Sequence, residues 1–273
     1  MGTVLDTKHW IACARAGYRI RTLAAFQRFR GLDMPWDDLE ALMRSAEYVA
    51  KASRSRKVVR LAAGQFAAPV DLFVKRYNLR TLMRLLLHTG RQTRAREEFE
   101  LGWKLIERGI KTPRPVWLAE AAGPLSRYSL LATEALAGFE SALERWMRCT
   151  EQGQRIQLLE ALGQFTGRMH AAGFYHDDYK ARHLLVRSNR SSRASEFYVI
   201  DLLGGGFPLR LSSLARSRNL YQLLRTFNRA PTRLGFTPEH RQILLEAYSG
   251  SRKDAAFWST WVNRAARIKR WRL

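Results

Sequence analysis

Cysteine is almost missing from this 273-residue chain: Cys13 and Cys149 are its only thiols. Neither has a second thiol nearby or a histidine at ligand spacing, so a disulfide framework and a structural zinc site are both excluded, and a reducing setting is expected. Long apolar runs are missing too. No stretch approaches the roughly 20 consecutive apolar residues of a membrane span, and the N-terminus lacks an apolar run followed by a small-residue cleavage site. The expectation is a protein neither integral to a membrane nor exported by a standard signal. Acidic residues are scarce: 24 Asp and Glu face 47 Lys and Arg, a formal charge of +23. Such a surface attracts polyanions within a Debye length of roughly 8 Å, be they nucleic acid, phosphorylated glycolipid or anionic membrane. Charge alone does not choose among them. With 46% apolar residues, the chain can still bury a large core, in one big domain or two lobes.

Periodicity divides the chain. Residues 36–51 place Leu39, Leu42, Met43, Ala46 and Val49 at helical spacing behind Asp37 and Asp38, which predicts a short helix. Residues 57–61 and 70–77 are β-branched or aromatic runs around a turn with Gly64 and Pro69, the pattern of paired antiparallel strands. Residues 93–109 set Phe99, Trp103, Leu105 and Ile106 on one helical side, with Gly109 as the stop. Extended segments are expected at 113–118 and 127–133. Beyond Gly138 long helices take over, at 140–150 and 154–172, interrupted by short extended segments at 174–187 and 196–203, and helical patterning resumes after Ser212.

The chemistry concentrates in HDDYKARHLLV, residues 176–186. Asp178 follows His176, Lys180 and His183 come next, and an apolar strand closes the motif, which is the spacing of a kinase catalytic loop. Phosphoryl transfer to a hydroxyl requires a carboxylate that orients the hydroxyl and accepts its proton, a cation on the transferring group, and magnesium ligands. Asp178, Lys180 and His183 meet those demands in order. Downstream, FYVIDLLGG delivers Asp201 from an apolar strand ahead of a run of glycines, as a magnesium ligand would be delivered. Upstream, DLFVKRY presents Lys75, and the following helix offers Glu97 and Glu98 as partners for it. Glu98 is the choice, because it borders the core face defined by Phe99 and Trp103; Glu97 stays open. Lys75 would hold the α- and β-phosphates of ATP, and the segment 133–136, with Glu134 and Leu136, would meet adenine through backbone groups.

The order of these segments resembles the Kdo/WaaP lipopolysaccharide kinase family over about residues 55–250. The carriers are FVKRY, LLHTGRQTRAREEFELGWKLIERGIKTPRP and above all HDDYKARHLLV followed by VIDL. The resemblance implies an α+β, two-lobed protein-kinase-like fold, with a small antiparallel-sheet N-lobe carrying one long helix and a mainly helical C-lobe. It divides the chain into an N-terminal extension with a helix (1–54), an N-lobe (55–136) and a C-lobe with a basic amphipathic tail (137–273). It implies an enzyme on the cytoplasmic face of the bacterial inner membrane that uses ATP and Mg2+ to phosphorylate a heptose or Kdo sugar of the lipopolysaccharide or lipid A core. Asp178 becomes the base, Asp201 the metal aspartate, Lys75 the ATP lysine and Glu98 its helix partner. His183 takes the place of the common kinase asparagine, either ligating metal or bonding Asp178.

Two positions depart from the pattern. Asp177 stands where an arginine is usual, and LAAGQFAAPVD before Lys75 has one glycine, Gly64, in place of a glycine-rich loop, although the backbone amides of the small-residue turn around Gly64 could still cover the phosphates of ATP. Alternative readings are a kinase of a protein or small molecule, or a membrane-associated pseudokinase. The tail FWSTWVNRAARIKRWRL alternates aromatic and basic residues, a pattern for an anionic membrane surface or a terminal helix docked on the C-lobe. The arginine-rich stretch 15–30 reads as a solvated face. Without an RNP, KH or zinc motif, nucleic acid is not the expected partner.

Overall fold

Strands come first. A computed structural model describes residues 10–15, 18–23, 48–52, 56–63, 70–78, 93–121, 128–188, 195–230 and 235–270. The chain divides into two compact units, residues 1–103 with 113–137, and residues 104–112 with 138–273.

The first unit is built on a seven-stranded antiparallel sheet of β1 (Trp10–Arg15), β2 (Tyr18–Leu23), β3 (Tyr48–Ala52), β4 (Arg56–Leu61), β5 (Leu72–Asn78), β6 (Pro115–Ala121) and β7 (Tyr128–Glu134), in the order β1-β2-β6-β7-β5-β4-β3. Helix α1 (Arg94–Glu107) intervenes between β5 and β6 in sequence. Strand β2 shows the period of two: Arg19 and Arg21 are exposed while Ile20 and Thr22 are buried. In β6 and β7 the runs Val116, Trp117, Leu118, Ala119 and Leu130, Leu131, Ala132 are buried throughout, as expected of central strands covered on both faces.

Two expectations are corrected by this sheet. Residues 48–51 do not continue a helix, because Tyr48–Ala52 pairs with β4, where ladder hydrogen bonds outweigh the helical spacing of Val49. The remainder of that expected helix, 36–47, lies outside the described residues. Nor is 1–54 an extension apart from the sheet, since β1, β2 and β3 supply three of its seven strands. They pair with β6 and β4, whose outer backbone groups would otherwise form open edges.

The second unit is mainly helical: α2 (Ala142–Arg148), α3 (Gln152–Ala171), α4 (Ser213–Asn228), α5 (Pro238–Ser249) and α6 (Arg252–Arg270). A small sheet, β8 (Glu140–Ser141), β9 (Leu184–Ser188) and β10 (Ser195–Val199), runs in the order β10-β9-β8. The sequence sets the helix starts: Ser141 and Glu144 form a capping box, Ser212 caps α4, and Thr237 with Pro238 opens α5. Trp146 is fully buried among Phe227, Phe236 and His240, with the Arg155 guanidinium stacked 4.4 Å from its ring. Helices α3 and α5 meet at Gly163 and Gly167, where an added Cβ would lie 2.4 Å from the Leu244 carbonyl oxygen and 2.9 Å from that of Tyr248. Helix α6 docks through Ala255, Val262 and Ala265 and leaves Phe257 and Ile268 exposed.

Candidate active site

Helix α3 delivers the loop that follows it. Its end is a Schellman turn: the Gly173 amide donates to the His170 carbonyl and the Phe174 amide to the Met169 carbonyl, with Gly173 at φ 84°. The chain then makes a two-way bridge between Tyr175 and Gly206 and turns at His176. His176 is locked by both ring nitrogens. Nδ1 accepts from the Asp178 amide at 3.1 Å, so the proton sits on Nε2, which donates to the Ile200 carbonyl at 3.0 Å. Burial lowers its pKa despite that bond and keeps it neutral. His176 braces the loop and links it to the strand end carrying Asp201.

Around this brace, Asp178, Lys180, His183 and Asp201 come together. Lys180 Nζ lies 2.6 Å from Asp178 Oδ1 and 2.8 Å from Oδ2. His183 Nδ1 donates to the Asp178 main-chain carbonyl at 2.8 Å, and its Nε2 lies 3.8 Å from Asp201 Oδ2. Burial lowers the His183 pKa more than that carbonyl and the nearby carboxylates raise it, so the ring is neutral at pH 7 and Nε2 keeps its lone pair on the side of Asp201. Among the described residues, Asp201 is the only non-glycine at positive φ, 62°, a conformation that aspartate tolerates better than most residues. The following turn demands glycine: a Cβ on Gly205 would lie 2.9 Å from each of Leu202 O, Phe174 Cζ and Tyr175 O. Asp177 lies 3.6 Å from Arg218 of α4, a solvent-exposed pair.

Helix α4 clamps the loop from behind. Asn219 Nδ2 donates to the His176 carbonyl at 2.5 Å, and Asn219 Oδ1 accepts from the His176 amide at 3.2 Å. Gln222 donates to the Asp177 carbonyl at 2.7 Å and accepts from the Tyr179 amide at 3.0 Å. Behind Asn219 stands buried His170, whose Nε2 donates to Asn219 Oδ1 at 3.2 Å and whose Nδ1 accepts the Tyr248 hydroxyl at 2.9 Å. Burial pushes the His170 pKa down to about 4 and that of Tyr248 up to about 12. Tyr179, fully buried, donates to Thr166, which donates to the Leu162 carbonyl. The loop backbone is thus held by side chains of α4, and side chains of α3 and α5 hold Asn219 and the Tyr179 ring from behind.

In the sheet unit, Lys75 Nζ lies 2.5 Å from Glu98 Oε1, and the Tyr77 hydroxyl donates to Glu98 Oε2. Glu98 is buried, whereas Glu97 sits in the first turn of α1 and is only half-buried. A second ion pair ties α1 to the sheet: Arg96 binds Glu120 of β6, which also accepts from Thr93 at 2.6 Å. Burial opposes the Glu120 charge, but those two partners outweigh it and lower its pKa. Gly64 lies outside the described residues. Asp71 accepts from the Ala63 amide at 2.7 Å and pairs with Arg60, and both lower its pKa. At the far end of β7 the Glu134 amide donates to Arg114 O and the Ala135 amide to Asp71 O; the Leu136 amide donates to no other described residue.

A sequence model of the lipopolysaccharide kinase (Kdo/WaaP) family matches residues 37–248, a stretch that includes all of these side chains. The chain belongs to this family. It is 27% identical over 137 residues to the 3-deoxy-D-manno-octulosonic acid kinase of Xylella fastidiosa strain 9a5c, covering 50% of this chain and 51% of that one, and equally similar to the enzyme of strain M12. The chain therefore spans about half the length of the curated relatives it matches. Its fold is that of a WaaP structure solved in complex with acyl carrier protein: TM-score 0.64 and 23% identity, over 92% of this chain and 98% of that one. The two-lobed α+β fold expected of the sequence is the fold observed.

The residues that hold the site were not singled out by sequence. Tyr77, His170, Asn219 and Gln222 look like ordinary polar positions of a strand or amphipathic helices. Their one advance signal is that Asn219 and Gln222 stand beside Leu220, Leu223 and Leu224 on the face of α4 that is buried.

Proposed function

We propose that this chain transfers the γ-phosphoryl group of ATP to a hydroxyl of a heptose or 3-deoxy-D-manno-octulosonic acid residue in the lipopolysaccharide inner core. The observation that carries this reading is the convergence of Asp178, Lys180, His183 and Asp201 in a chain of the Kdo/WaaP family. Asp178 is half-exposed and points its carboxylate at Lys180, so it can receive an acceptor hydroxyl, orient it and take its proton. Lys180 holds that carboxylate in place and sets a cation beside the transferring group. Lys75, fixed by Glu98, which Tyr77 holds in turn, is the ligand for the α- and β-phosphates, while Glu134 and Leu136 meet adenine through their backbone.

Magnesium fits the donors present. Bound with ATP, it would neutralise the charge of the transferring phosphoryl group. Asp201 offers a hard carboxylate oxygen and His183 an Nε2 lone pair beside it. Among the described residues no three His, Cys, Asp or Glu side chains form a metal cage, which suits an ion that keeps water and phosphate oxygens as ligands.

No described helix is long and apolar enough to cross a membrane. Exposed Phe257 and Ile268 among Arg264 and Arg267 on α6, together with the +23 charge, support peripheral attachment to the anionic cytoplasmic face of the inner membrane. The test is phosphate incorporation from labelled ATP into a panel of truncated lipopolysaccharide cores, with protein and aminoglycoside acceptors alongside. Asp178→Ala is expected to fold and lose turnover by at least about a hundredfold. Transfer by that variant at the wild-type rate refutes the reading.

A further inference from the structure

Beside the catalytic loop, within the helical unit, lies a groove of about 360 Å³ whose polar lining is four cationic residues with Gln222 and Thr226. The loop contributes Lys180 and Arg182, α4 contributes Arg225 and its C-cap contributes Arg229; among the described residues no carboxylate lines it. Lys180 is neutralised by Asp178, but none of the three arginines makes an ion pair with a described carboxylate. Gln222, Arg225 and the C-cap residue Arg229 follow one another at about one-turn spacing along one face of α4 and its end. Compensating the negative end of α4 gives Arg225 and Arg229 a structural purpose, but leaves the convergence of Arg182 with them unexplained. Three guanidinium groups without a described carboxylate partner around one concavity repel each other, and an anion that joins them relieves that repulsion.

We infer that this groove is the anion subsite for the acceptor: Arg182, Arg225 and Arg229 hold an oxyanion of the sugar, its own carboxylate or a phosphate it carries, and so place a neighbouring hydroxyl at Asp178. This rests on the kinase reading above. Planar guanidinium groups match both oxyanions in bidentate fashion. Lys180 touches Asp178 and also lines the groove, so a group bound there is one side chain from the proposed base. Leu143 and half-exposed Met147 of α2 form an apolar wall suited to the C–H face of a sugar ring.

The test compares the wild type with Arg182→Ala, Arg229→Ala and the double variant, both positions being exposed enough for the fold to survive. Thermal unfolding verifies that. With an anionic core acceptor, each single variant is expected to raise the acceptor KM about 10- to 100-fold, with kcat at saturation falling far less, and to flatten the rise of KM with salt. Lysine at either position restores part of the loss. Two further acceptors separate the sources: esterification of the carboxylate, or phosphatase treatment of the core, abolishes the difference between wild type and variant for whichever group is bound. Wild-type KM values in the double variant overturn the subsite while leaving the kinase reading intact. If instead the wild type phosphorylates no core acceptor, the kinase reading fails, and NMR titration with an octulosonic-acid glycoside and with pyrophosphate decides the groove: equal affinity in wild type and double variant overturns it.

Discussion

Lowering the pH from 7 to 5 will remove about 2 kcal/mol of folding stability through His170 alone. The folded chain holds this ring neutral, with a pKa of about 4 against an ordinary 6.5, because burial disfavours its charge by more than the Asn219 hydrogen bond favours it. Unfolding releases a ring that protonates below pH 6.5, so between pH 6.5 and 4 the unfolded state binds more protons and stability falls as pH falls. The contribution is fully present above pH 6.5, reaches about 2 kcal/mol of loss at pH 5, and levels off near 3 kcal/mol below pH 4. Urea unfolding at pH 7, 6 and 5, followed by tryptophan fluorescence, measures it. His170→Gln preserves an acceptor and a donor but cannot titrate. His176, His183 and the carboxylates act on both proteins alike, so the variant's stability should lose about 2 kcal/mol less over this range. Parallel pH profiles for the two proteins would refute the account of the network.

Three other substitutions test the site's construction. Asn219→Ala strips partners from the His176 backbone and from His170 together and should cost at least about 2 kcal/mol in urea unfolding, with a loss of turnover that raised acceptor does not restore. Gly205→Ala places a methyl 2.9 Å from three heavy atoms and should destabilise by about 1–3 kcal/mol, whereas Gly206→Ala, with nothing within 4 Å, should be close to neutral. Tyr77→Phe removes a hydrogen bond to Glu98 and should raise the KM for ATP about two- to tenfold while thermal stability changes little; an unchanged KM would mean that Glu98 needs no support from Tyr77.

How much of this was legible beforehand depended on whether the information is local. The strands around Lys75, helix α1 and the Asp178 loop are encoded within a few residues each, by period, turn chemistry and spacing, and the fold followed from them. Strand β2 was equally open to reading, since YRIRTL alternates, but its arginines drew attention to charge rather than to pattern. Strand β3 was not, because the same apolar spacing through Val49 suits a helix, and only the edge of β4 decides. The clamp was hidden for a similar reason. Asn219 and Gln222 reach residues more than forty positions away, and nothing local distinguishes a buried amide with a distant partner from a solvated one. His183 was legible as a residue but not as a tautomer, which the Asp178 carbonyl sets.

Glycine at 163 and 167 brings the backbones of α3 and α5 into direct contact, with no side-chain layer to slide or repack. A joint of that kind opens only by separating whole helices, so the amides of α3 between Leu158 and His170 should be among the slowest in the protein to exchange with deuterium. The loop bearing Asp178 hangs from the end of this helix by the Gly173 turn and by the bond between Thr166 and Tyr179. Its mobility on the timescale of turnover is therefore expected to be limited by the most persistent part of the molecule, while the arginine-lined groove proposed for the acceptor is expected to keep the freedom to accommodate sugars of different shape.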